Sequence, residues 1–212
     1  LMDGHAMVYR AFYAIQQPMN ISGTGEDVRG VFGFLNSFLR TLTELRPTHS
    51  AITFDLSKPT FRHHEYSEYK AQRPPSPPEL KAQFPHVRRA MTALGVPIFE
   101  QEGYEADDVI GTLCWQAEQQ NIDTIILTSD TDELQLVSPF VRVLLTYGIQ
   151  KKTLYDISKV RERYGGLGPE AVPDIKALQG DPSDNIPGIP GVGSKTAIRL
   201  LNQFKSVEGI LD

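Results

Sequence analysis

Three aspartates each close a short apolar run of this sequence: Asp3 after Met2, Asp55 after Thr53-Phe54, and Asp130 after Thr128-Ser129. A fourth acidic group, Glu105-Ala106-Asp107-Asp108, opens a stretch of helical period, and Asp132, Asp181 and Asp184 occupy comparable loop or helix-start positions. Each residue alone reads as a turn residue or a helix cap, the places where Asp is ordinarily found. Together they read as one site, because carboxylates crowded at a single rim repel one another and are tolerated mainly where a cation neutralises them. Donors that are all oxygen, with no His or Cys among them, select hard ions such as magnesium or manganese over zinc. The five histidines show no ligand spacing, and the single cysteine, Cys114, cannot form a cysteine-rich zinc site. Such a centre, holding two ions about 4 Å apart, suits in-line attack on a phosphodiester with both the entering and the leaving oxygen stabilised.

The basic residues lie elsewhere, at Arg62 to Arg73, Arg88-Arg89, Lys151-Lys152 and Lys195 to Lys205. A formal net charge of −5 taken alone argues against a polyanionic partner. The pattern argues for one, since an acidic centre ringed by basic patches accommodates metal ions and a polyanion together. Gly191-Val192-Gly193-Ser194-Lys195-Thr196 follows a Pro and Gly turn and opens a helix, so its backbone amides make a phosphate site that reads no base. A nucleotide P-loop is excluded there, because the Gly-Lys-Ser/Thr ending is absent and no strand precedes it.

An open α/β sheet is what places carboxylates on one rim, since its ligands bind beyond the carboxyl ends of the strands. Apolar runs rich in β-branched residues at 49–55, 96–100, 124–130 and 141–147, with a truncated first strand ending at Asp3, alternate with amphipathic helices over 28–45 and 107–119. The expected fold is α/β, with a central and mostly parallel sheet flanked by helices. Residues 58–86, dense in charge, aromatics and proline, break this rhythm and read as an irregular functional segment that resists burial. Past residue 156 the strand signal stops, and helical segments over 157–164, 170–178, 194–204 and 207–211 indicate a small lobe. The expected division is a core of residues 1–155 and a helical lobe of residues 156–212. With 40% hydrophobic and 22% charged residues, the chain is too apolar for disorder. No apolar stretch has the length of a membrane span, no signal peptide precedes the first motif, and the lone cysteine fits a reducing compartment, so the expected location is the cytoplasm. The start in mid-strand and the end within a helical pattern read as those of a fragment.

The chemistry-bearing residues fall into five motifs in order: Asp3-Gly4-His5 leading to Tyr9-Arg10, Phe54-Asp55, Glu105 to Gly111, Thr128 to Asp132, and Gly180-Asp181-Pro182-Ser183-Asp184-Asn185-Ile186-Pro187-Gly188. Across almost the whole chain they resemble the 5′-nuclease domains of bacterial DNA polymerase I and, more distantly, phage and eukaryotic flap endonucleases. The resemblance implies a PIN or flap-endonuclease-like sheet, a helix-three-turn-helix lobe, and a two-metal hydrolase of 5′-flap or nicked DNA and RNA primers in replication and repair. It implies Asp3, Asp55, Glu105, Asp107 and Asp108 for one divalent ion, magnesium or manganese, and Asp130, Asp132, Asp181 and Asp184 for the second. Tyr69-Lys70-Ala71-Gln72-Arg73 matches the arch or gateway of that family, with Lys70 and Arg73 as catalytic grips on the scissile phosphate. Tyr9 matches an aromatic on which the terminal base stacks, with Arg10 beside it in the DNA contact. In the lobe, Gly191, Gly193, Lys195, Thr196 and Arg199 are expected at duplex phosphates, and the backbone near Asn185, Ile186 and Val192 at a potassium ion. A monomer is expected. The alternatives are a stand-alone 5′-nuclease with no polymerase attached and a non-catalytic binder of branched DNA; the complete acidic set favours the nuclease.

Overall fold

The structure, a computed structural model, describes residues 1–147 and 151–211; Asp212, the last residue of the expected lobe, lies outside the described residues. The chain begins with β1 (Met2–Asp3), α1 (Gly4–Ala14), α2 (Arg29–Leu45), β2 (Ile52–Thr53), α3 (Phe61–Glu65), α4 (Pro78–Lys81), α5 (Gln83–Ala93), β3 (Ile98–Phe99) and α6 (Ala106–Gln119). It continues through β4 (Thr124–Thr128), a 3-10 turn over Asp132–Leu136, β5 (Val141–Tyr147) and β6 (Lys151–Tyr155). After these come α7 (Ile157–Arg163), a 3-10 turn over Pro169–Ala171, α8 (Val172–Gln179), α9 (Ser194–Phe204) and α10 (Glu208–Leu211). The strands form one sheet in the order β3-β2-β1-β4-β5-β6, the first five parallel and β6 antiparallel to β5. Chain order reverses between β1 and β4, which places the ligand crevice of such a sheet at the carboxyl ends of these two strands.

Three apolar clusters hold the layers. Met7, Val8, Phe34, Phe38, Val87 and Met91 seat α1, α2 and α5 against Met2 and Ile52 of the sheet. Ile110 and Cys114 of α6 pack with Ile126, Val143 and Leu145 of the sheet, together with Leu134, Val160 and Val172. Ile175, Leu178, Ala197 and Leu201 join α8 to α9. Among the described residues no helix is long and apolar enough to cross a membrane.

The helices expected at 28–45, 107–119 and 194–204 coincide with α2, α6 and α9. The irregular segment needs correction. Residues 83–86 begin α5, and Tyr69, Leu80 and Gln83 are buried within a stretch expected to resist burial. Gln83 is buried because it works as a clip, its Oε1 accepting from Val31 N (3.1 Å) while its amide donates to the Asp27 and Glu79 carbonyls. Helix α1 and strand β6 are also elements that the apolar pattern did not announce. The β6 stretch Lys-Lys-Thr-Leu-Tyr buries only Tyr155, as an edge strand can, so its alternation carries little hydrophobic signal.

Candidate active site

Five of the expected carboxylates are positioned by local backbone hydrogen bonds. Asp3 ends β1 and caps α1, its Oδ1 accepting from Ala6 N (2.9 Å) and its Oδ2 from the Thr128 hydroxyl of the neighbouring strand (2.8 Å). Asp55, just past β2, accepts from Ala106 N (2.7 Å), the first amide of α6. Glu105 and Asp108 form a reciprocal cap on the same helix, with Glu105 N donating to Asp108 Oδ2 (2.9 Å). Asp130 follows β4 and accepts from Asp132 N (2.9 Å). The cap role and the site role therefore coincide: the starts of α1 and α6 aim carboxylates into the crevice, and their positive dipole ends offset part of the charge.

The acids then divide by what neutralises them. Arg62 grips Asp108 with two prongs, at 2.7 and 2.8 Å. Lys70 Nζ reaches Glu105 Oε1 at 2.8 Å, and Arg73 reaches Asp184 Oδ1 at 2.6 Å. Lys176 lies 2.6 Å from Asp132 and 2.7 Å from Asp181. The buried Tyr69 hydroxyl meets both Glu105 and Asp184, at 2.9 Å each. By contrast, no Lys or Arg among the described residues forms an ion pair with Asp3, Asp107 or Asp130. Asp55 has only His5, 3.3 Å away, whose burial holds it toward the neutral form.

Protonation follows this division. Burial, then the Ala6 and Thr128 hydrogen bonds acting against it, then the charges of Asp55 and Asp130 leave Asp3 pushed up to about 6. Burial, followed by Asp3, Asp130 and Asp55, lifts Asp107 well above the usual carboxylate range. Asp132 is raised by burial and by Asp130, with Lys176 opposing. Burial also acts upward on Asp108 and Asp181, yet Arg62 in one case and Lys176 with Ser183 in the other outweigh it and hold both below their ordinary values.

Among the described residues no group of three or more His, Cys, Asp or Glu side chains is arranged to hold a metal ion. The physical reason is visible in the pairing: Arg62, Lys70, Arg73 and Lys176 draw five of the expected ligands toward themselves. The unpaired acids meanwhile repel one another. The donor set nevertheless fits hard divalent ions, being all carboxylate oxygen from the ends of β1, β2 and β4, the start of α6 and the loop after α8.

Residues 66–73 of the segment expected as a gateway bond to the 182–185 loop beside these acids. Tyr66 donates to the Asn185 carbonyl (3.2 Å), Lys70 N to the Asp184 carbonyl (3.0 Å), Gln72 to the Pro182 carbonyl (2.6 Å) and Arg73 Nε to the Ser183 carbonyl (2.9 Å). The Asn185 amide returns a bond to the Glu68 carbonyl (2.7 Å). The loop receiving them is folded tightly: a Cβ on Gly180, at φ 81°, would lie 2.5 Å from Gly188 N. Of the three residues expected at a potassium ion, Asn185 and Ile186 already offer their carbonyls to Tyr66 and Asp181 N, and Val192 N donates to Ile189. Gly193 caps α9, where Gly191 has φ 81°, Thr196 is partly buried, and Lys195 and Arg199 are exposed. Tyr9 is partly buried, stacked on His5 and bonded to Ser76, with Arg10 partly buried on the same helix.

Sequence reasoning missed three participants. Lys176 carries no signal beyond its presence near an acidic motif, and Tyr69 stands in the gateway match without being singled out as a partner of the acids. Glu133, only 2% exposed in the 3-10 turn after Asp132, reads in the sequence as one more acid following Asp130-Thr131-Asp132, and nothing there marks it as buried.

A doubly wound sheet whose switch-point crevice is lined with hard oxygen donors and covered by a basic segment defines a hydrolase directed at phosphates. The models of the 5′–3′ exonuclease N-terminal, resolvase-like domain and of its C-terminal SAM fold match residues 1–165 and 167–212, and the chain belongs to this 5′–3′ exonuclease family, a family of nucleases. It is 49% identical to DNA polymerase I of Chloroflexus aurantiacus and 46% identical to that of Bacillus caldotenax. Each match covers 100% of this chain but 23% and 24% of the relative, so the chain spans about a quarter of the length of these curated relatives. In fold it is similar to a structure of the T5 5′-exonuclease with zinc ions bound, at a TM-score of 0.79 and 21% identity, covering 100% of this chain and 77% of that one.

Proposed function

We propose that the chain is a structure-specific 5′-nuclease, the N-terminal part of a DNA polymerase I. On this reading it hydrolyses DNA bearing a 5′ flap or nick, and RNA primers, to leave a 5′-phosphate and a 3′-hydroxyl. The observation that carries this reading is the set of carboxylates at the β1/β4 switch point, of which Asp3, Asp107 and Asp130 form no ion pair with a Lys or Arg among the described residues. Two divalent ions, magnesium or manganese, would supply the activated water and the charge on the leaving oxygen. Asp3, Asp55, Glu105, Asp107 and Asp108 would hold one, and Asp130, Asp132, Asp181 and Asp184 the other. Lys70 and Arg73, now spent on Glu105 and Asp184, become available to the scissile phosphate once those carboxylates have another counter-charge. Tyr9 and Arg10 serve the terminal nucleotide at the foot of the gateway. Gly191, Gly193, Lys195, Thr196 and Arg199 hold duplex phosphates at the start of α9, and carbonyls near Asn185, Ile186 and Val192 take a potassium ion. The chain divides functionally into a nuclease core, residues 1–155, with the 58–86 gateway, and a DNA-binding lobe, residues 156–212, and works as a monomer in the cytoplasm.

The test is cleavage of an end-labelled 5′-flap duplex. Activity should vanish in excess chelator and return with magnesium. Asp130→Ala should abolish turnover while leaving flap binding in calcium intact, whereas Lys195→Ala should weaken binding and its salt dependence but spare turnover at saturation. Undiminished cleavage in chelator would overturn the metal reading, and loss of affinity alone in both variants would reduce the centre to a binding surface.

A further inference from the structure

Glu133 is a carboxylate the motif-level account of the centre leaves out. It sits one residue past Asp132, 2% exposed, at the edge of the apolar cluster of Ile110, Cys114 and Leu134. Neither of its carboxyl oxygens receives a hydrogen bond from a backbone amide, a basic side chain or an alcohol, and its side-chain partner is the Asp107 carboxyl. The group it faces is Asp107, with Asp3 and Asp130 behind it. Glu133 and Asp107 share the wall of a cavity of about 500 Å³ with Arg62 and Asp132. The nearby cations are committed elsewhere, Arg62 to Asp108 and Lys176 to Asp132 and Asp181. A buried carboxyl whose side-chain partner is another acid is a costly arrangement that packing alone does not repay.

From this geometry we infer that Glu133 is a positioning carboxylate of the metal centre, which fixes Asp107 from behind and adds the charge that draws a divalent ion into the crevice. The inference rests on the metal reading above. It differs from a packing role in what it demands: a neutral side chain of the same shape fills the space equally well but supplies no charge. Partners standing behind a ligand in this way typically change metal affinity by about 10–100-fold when removed.

The test is calorimetric titration of the full chain with manganese, alongside thermal unfolding with and without the ion, for wild type, Glu133→Gln, Glu133→Leu and Asp130→Ala. Glu133→Gln should weaken manganese binding on the order of tenfold. Glu133→Leu should weaken it similarly, while the metal-free variant unfolds no earlier than wild type and gains less from manganese. Wild-type manganese affinity in a folded Glu133→Gln, with binding lost in Asp130→Ala, would overturn the role of Glu133 and leave the metal centre standing. No manganese binding by wild type would overturn both.

Discussion

Asp107 and Asp108 are neighbours in sequence and opposite in state. Asp108 is held ionised by the two-pronged Arg62, while Asp107 faces only other acids and is driven toward its neutral form by burial and by their charge. The acid types and their spacing were legible in the sequence; this partition was not, because it depends on side chains brought from Arg62, Lys70 and Lys176 by the fold. It has a signed consequence for stability. Asp3 rises from an ordinary 3.8 to about 6 on folding, so its contribution to stability is fully present below its unfolded value and lost as pH rises through about 6. In chelator, wild type should therefore lose more urea resistance between about pH 3 and about pH 7 than Asp3→Asn does, by up to roughly 3 kcal/mol, of which about 1 kcal/mol falls above about pH 5. Parallel pH profiles in the two proteins would contradict this account of Asp3. Lys70 and Arg73 belong to the same scale. If they exchange their carboxylates for the scissile phosphate, Lys70→Ala and Arg73→Ala should each slow single-turnover cleavage by about 100-fold, with binding changed much less.

Elements hold these side chains by their ends. Helices α1 and α6 begin where β1 and the loop after β3 deliver Asp3 and Glu105, and both starts are fastened by caps that also belong to the site. The strand-ending aspartates made the sheet readable, since a β-branched run followed by Asp is visible without a structure. Helix α1 was hidden because its apolar residues, Met7, Val8, Ala11 and Phe12, follow so closely on the strand that no separating turn marks its start. Gly4 shows how tight that junction is: a Cβ there would lie 2.6 Å from the Thr53 carbonyl and 2.5 Å from the Phe54 ring. Gly4→Ala should destabilise the fold by about 1–3 kcal/mol in urea unfolding, and should depress cleavage further by tilting the Asp3 cap. Unchanged stability would mean that β1 and α1 are not braced against β2 as described. The burial of the gateway segment was illegible for a related reason: Tyr69 and Gln83 are buried through hydrogen bonds to distant carbonyls and carboxylates, which hydrophobic periodicity cannot register.

At the scale of the whole molecule, charge is arranged by position more than by amount. A chain of net charge −5 concentrates acids at one crevice and leaves Lys195 and Arg199 exposed at the start of α9, in a separate part of the fold. On the proposed function, acidic centre and basic surface would serve different groups, cations in one place and phosphates in the other. Residues 66–73, bonded to the loop of residues 182–185, tie the sheet region to the C-terminal helices, and two of them, Lys70 and Arg73, also quench Glu105 and Asp184. Every part of this account depends on the crevice being a metal centre. The direct measurement is anomalous scattering from crystals of the chain soaked in manganese. We predict two peaks about 4 Å apart, one among Asp3, Asp55, Glu105, Asp107 and Asp108 and the other among Asp130, Asp132, Asp181 and Asp184. Crystals that show manganese only at other carboxylates, with Lys70, Arg73 and Lys176 still on their acids, would contradict it.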